Sequence, residues 1–126
     1  MKNTKKRGFY SLKIAKKEVN LLFNMRFWAL LDDKGYKLEE LDKHLAEGNG
    51  VMSMINVLSN IVLSGVEANC IKNNIDQEYS IDDVYEWFEE DIDQEELEKI
   101  LKAMMETKIF GNTINPGEEP KKLKGR

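Results

Sequence analysis

The chain contains one cysteine, one histidine and two prolines in 126 residues. A single cysteine, Cys70, excludes an internal disulfide and points to a reducing compartment. One Cys and one His cannot supply the clustered ligands of a zinc site. No glycine-rich phosphate loop occurs. Gly48 and Gly50 flank a single Asn, without the Lys-Ser/Thr that contacts phosphate and metal. An uninterrupted run of about 20 apolar residues, which a membrane span needs, is also missing. The longest apolar stretch, 51–71, is broken by Ser53, Asn56, Ser59, Asn60, Ser64, Glu67 and Asn69. The basic start, Met1 to Arg7, lacks the apolar segment of a signal peptide, because Ser11, Lys13, Lys16 and Lys17 interrupt the residues after it. These absences predict a cytoplasmic protein with no membrane span, no metal and no cofactor.

What is present is a globular composition, 41% hydrophobic and 33% charged, of a length suited to one core. Charge is unevenly spread. Residues 1–17 carry seven bases and no acid, while residues 76–98 carry twelve acids and no base. Lys121, Lys122, Lys124 and Arg126 make the end basic again. An acidic centre repels phosphate backbones, so nucleic acid is not expected as the main partner.

Hydrophobic period gives the elements. Tyr10, Leu12 and Ile14 alternate with Ser11 and Lys13; Val19, Leu21 and Phe23 alternate with polar residues again. Two period-two runs joined at 15–17 predict a β-hairpin. Asn24 predicts the N-cap of a helix over 25–33 whose apolar residues cover nearly its whole circumference. A second helix is expected over 37–46 with Leu38, Leu41 and Leu45 inward, broken by Gly48-Asn49-Gly50. Val51, Ile55, Leu58, Val62 and Val66 predict a long central helix over 51–71. After a polar linker, 72–79, Ser80 and Asp83 read as a helix start, and Asp93 to Glu96 as another. The last helix is expected to end at Gly111. The fold class is therefore α+β, mainly α: an N-terminal hairpin, about five helices and a disordered C-terminal tail. The predicted divisions are a flexible basic arm over 1–8, one domain over 9–111 and the tail over 112–126.

No catalytic set emerges, and the chain reads as a non-enzyme. His44, beside Leu41 and Leu45, reads as a surface residue. Cys70 reads as a small hydrophobe, and a Cys70–His44 pair lacks a third orienting group. The acid run from Asp91 resembles a calcium loop, but its sixth position is Glu96 rather than Gly and its twelfth is Lys102 rather than Glu. Binding surface is what remains. On the 81–91 helix, Trp87 lies about 100° from the centre of the Ile81, Val84, Tyr85 and Phe88 stripe, among Glu86, Glu89 and Glu90. Trp87 reads as a core rim residue or a partner anchor. Phe27 and Trp28, on the over-apolar first helix, are expected to face a partner or a second copy, and Glu86, Glu89 and Glu90 a basic partner.

The stretch Tyr10-Ser11-Leu12-Lys13-Ile14, continuing through Val19-Asn20-Leu21-Leu22-Phe23-Asn24-Met25-Arg26-Phe27-Trp28-Ala29-Leu30-Leu31, resembles the phage tail assembly chaperones of long-tailed phages and prophages of Gram-positive bacteria. The acidic late helix from Asp82 to Glu90 extends the resemblance, which spans about residues 9–110. It implies a non-enzymatic cytoplasmic helper that coats the tape-measure protein and recruits tail-tube subunits. It also implies a longer product made by frameshifting, for which Pro120-Lys121-Lys122 can encode a slippery run. Two other readings stay open: a structural connector or tail-completion subunit, and a small helical DNA-binding regulator.

Overall fold

The alternation from Phe9 to Leu22 closes as an antiparallel hairpin in the computed structural model, which describes residues 7–46 and 50–113. Most of the expected arm (residues 1–6), part of the expected break (47–49) and the expected tail from residue 114 lie outside the described residues. Strand β1, Phe9–Ile14, pairs with β2, Lys17–Leu22, in the register Leu12↔Val19 and Tyr10↔Leu21. Ile14 faces Lys17, so the loop is two residues, Ala15 and Lys16, rather than three. Ala15 has φ 55. A positive φ at the first central position but not at the second, Lys16, is the pattern of a type II′ turn, whose twist matches that of the strands. Leu12, Val19 and Leu21 are buried on one face, while Ser11 donates to Asn20 at 3.0 Å on the other.

Helix α1, Met25–Asp33, begins where expected: the Asn24 carboxamide accepts the Phe27 N–H at 3.0 Å. A 3₁₀ turn, Leu38–Glu40, leads into the short helix α2, Leu41–Leu45. Helix α3, Val51–Asn73, is the spine of the domain. Its length and composition would allow a membrane crossing, but 56% of its apolar window is buried inside the domain. It contacts the hairpin, α1, α2 and, further on, the helix that begins at Ile81. At Gly65 the backbone comes so close to the hairpin that a Cβ would lie 3.1 Å from Phe23 Cε1 and 3.2 Å from Leu21 Cβ. Asn74, at φ 58, closes the helix, and the Ile75 N–H reaches back to the Cys70 carbonyl at 2.9 Å.

Helix α4, Ile81–Glu90, opens with a complete capping box between Ser80 and Asp83. Helix α5, Gln94–Met104, is capped by the Asp93 carboxylate, which accepts the Glu96 N–H at 2.8 Å. Here the box stays half made, because the Glu96 carboxylate instead accepts from the Tyr10 hydroxyl.

The last helix stops at Met104 rather than Gly111. A second hairpin follows, β3 (Lys108–Ile109) and β4 (Asn112–Thr113), so the ordered domain runs two residues into the expected tail. Its two turn residues, Phe110 and Gly111, both have positive φ, 54 and 84, as a type I′ turn requires. The helix ends early because buried Thr107 turns its hydroxyl toward the Phe23 carbonyl, at 2.7 Å, and the Met104 carbonyl, at 3.1 Å. The Gly8 N–H donates to Glu106 Oε1 at 2.7 Å in the same region. The start and end of the domain are thereby fastened together.

Candidate functional site

Burial sorts the predicted contact residues into two groups. Phe27 is 0% exposed, Trp28 6% and Trp87 6%. Phe27 stacks edge-on between Phe23 and Trp28, with ring centroids 4.8 Å away on each side. Trp87 meets the Tyr79 ring at 5.1 Å. Phe27 and Trp28 are core, which corrects the expectation that they face a partner, and Trp87 belongs to the core, the first of its two readings. The side of α1 turned to solvent carries Met25, Arg26 and Ala29 instead. The α1 helix packs on α3, and its Phe27 meets Phe23 just after β2, so its apolar excess is spent inside the domain.

Glu86, Glu89 and Glu90 are exposed, as expected. With Asp82, Asp91, Asp93, Glu95 and Glu98, also exposed, they form an acidic surface over α4, the link to α5 and the start of α5. Among the described residues its one ion pair is Lys99–Glu95 at 3.9 Å. Part of this charge is what the helices need. Asp82 and Asp83 in the first turn of α4, and Glu95 and Glu96 in the first turn of α5, sit where the helix dipole favours acids. Glu89 and Glu90 do not. They occupy the last turn of α4, which has no base, where each acid costs about 0.3–1 kcal/mol. Folding gives no reason for them. The surface is held rigidly: Val84 is fully buried beneath it, and the Tyr85 hydroxyl donates to Asn56 Oδ1 of α3 at 2.7 Å.

The residues considered for chemistry do not converge. His44 lies in a cleft of about 480 Å³ with Tyr36, Ser53 and Asn56, the Tyr36 ring edge-on at 5.0 Å. Cys70 lines a separate groove of about 660 Å³ at the far end of α3, with Leu30, Ile71 and Ile75. A Cys70–His44 pair therefore does not form. Burial, then the negative charge of Glu67, Glu78 and Asp76, push the Cys70 thiol up, away from a reactive thiolate. The stretch that resembles a calcium loop is mostly helix α5. Among the described residues no group of three or more His, Cys, Asp or Glu is placed to hold a metal ion.

Sequence reasoning missed the exposed apolar side chains. Phe110 is 62% exposed, Ile71 53% and Ile75 54%. Ile75 carries one signal, as a lone apolar residue in a polar linker; Phe110 carries none when the helix is read on to Gly111.

No protein family, curated protein or solved structure matches this chain.

Proposed function

We propose that the protein is a phage tail assembly chaperone: a non-enzymatic cytoplasmic binding protein that covers the tape-measure protein and recruits tail-tube subunits. The family comes from the sequence resemblance. The observation that supports a docking role is the acidic surface of α4 and α5. Its Glu86, Glu89 and Glu90 are exposed, without an ion-pair partner among the described residues, and two of them sit at a helix end that disfavours acids. Charge kept against the local preference of its helix serves something outside the helix. A basic stretch of a long helical partner is complementary to it. Such a surface steers encounter and sets salt response.

The test reads the neighbouring frames for a tape-measure and a tail-tube protein and uses the proteins found there. Wild type should form a complex whose association slows as salt rises. Charge reversal of Glu86, Glu89 and Glu90 to Lys should slow association by about tenfold or more at low salt and flatten the salt dependence. Unchanged association of the reversed variant, or no complex at all, overturns the reading. Recovery of the chain in stoichiometric amounts from finished particles would favour the connector instead.

A further inference from the structure

The second hairpin ends in a side chain its turn does not want. A type I′ turn calls for Asn or Gly at its first central position, and here that position is Phe110, at φ 54. A bulky residue in the left-handed region is a rare conformation, and such outliers gather at functional positions. The ring is 62% exposed, and nothing lies within 4 Å of a Cβ placed on the neighbouring Gly111. The tip therefore projects into open space, with Lys108 exposed beside it.

The same chain carries a matching recess. The groove of about 660 Å³ at the C-terminal end of α3 has Leu30, Ile71 and Ile75 as apolar wall. Ile71 and Ile75 each leave about half their surface open, at 53% and 54%. Asp76 stands exposed on its rim, while the other acid there, Glu67, is held by Lys34 at 2.7 Å. The volume is enough for a phenyl ring. The free rim charge is opposite in sign to Lys108. None of the described groove residues belongs to the second hairpin, so in one chain knob and hole are separate.

We infer that Phe110 of one molecule seats in the Leu30–Ile71–Ile75 groove of a second copy, with Lys108 against Asp76. Two copies that seat each other's knobs reciprocally form a closed pair, and a single contact is head to tail and leaves a free knob and a free hole at the ends. Its formation depends on this chain alone and not on the chaperone reading.

Sedimentation velocity on the full chain over a range of concentrations tests it. Wild type should show association that grows with concentration, to a dimer where the contacts are reciprocal and beyond it where they run head to tail. Phe110→Asp should be monomeric, and so should Ile71→Asp/Ile75→Asp. Phe110→Asn, which suits the turn, should also be monomeric while melting no lower than wild type, which separates lost docking from lost folding. The decisive step is mixing. The Phe110→Asp chain keeps its groove and the double Ile variant keeps its knob, so together they should form a one-to-one dimer that grows no further. A monomeric wild type overturns the inference. So does a mixture that stays monomeric while wild type associates, or a Phe110→Asp chain that associates like wild type.

Discussion

Replacing Thr107 by Val removes one hydroxyl and changes almost nothing in shape. Thr107 is 4% exposed, and its Oγ1 lies 2.7 Å from the Phe23 carbonyl and 3.1 Å from the Met104 carbonyl. A hydroxyl has one proton, and the shorter contact spans 84 residues of chain, from the end of α5 to the exit of the first hairpin. Phe23 is 1% exposed, so its carbonyl has no water to turn to. Leaving such a group unpaired costs about 1–3 kcal/mol. Burying a methyl in place of the hydroxyl returns about 0.8 kcal/mol. The expected net loss is about 1 kcal/mol, within about 0.2–2 kcal/mol, which for a domain of this size lowers the melting midpoint by roughly 1–10 °C. Thermal and urea melts followed by circular dichroism measure it. Hydrogen exchange should localise it, with faster exchange at the Phe23 amide, which bonds the Gly8 carbonyl at 2.7 Å. A Val variant as stable as wild type would refute this account of how the helix end and hairpin are joined.

Gly65→Ala gains about 1 kcal/mol of helix propensity but crowds Phe23 and Leu21, and overpacking of about 1–3 kcal/mol wins, so a lower urea midpoint is expected. Ala15→Gly relieves a left-handed alanine in the first turn and should raise stability in the same assay by about 1 kcal/mol. Phe27→Glu places a charge where exposure is 0% and should abolish the cooperative melt rather than weaken partner binding alone. Burial and then the hydrogen bond to Glu96 raise the Tyr10 pKa well above its ordinary value of 10.0. The unfolded phenol then loses its proton first, so this contribution is complete below about pH 10 and is lost as pH rises further. Tyr10→Phe should flatten that alkaline slope in urea melts taken across the range.

The parts of the fold written in local signals were legible. Leu12, Val19 and Leu21 announce a strand face by period two, and Asn24, Ser80 and Asp93 cap the helices they precede. What failed depended on residues far away. A helix wheel puts Trp87 at an edge, but Tyr79 folds back from the linker and covers that edge. The apolar girth of α1 says that it needs cover, not that α3 and Phe23 supply it. Gly111 can stop a helix or turn a hairpin, and the choice falls to Thr107 through a carbonyl 84 positions earlier. At the acidic surface the charges were readable, whereas their quarrel with the end of α4 needed the helix boundary.

The fastening of the two ends has a consequence during synthesis. The groups that tie the first hairpin down, Glu96, Glu106 and Thr107, are made 84 to 98 residues after the groups they hold. A two-stranded ribbon by itself is marginal in water. The nascent chain therefore holds the first hairpin without these ties until nearly the whole domain is out, and its fastening comes as one late event rather than as growth from the N-terminus.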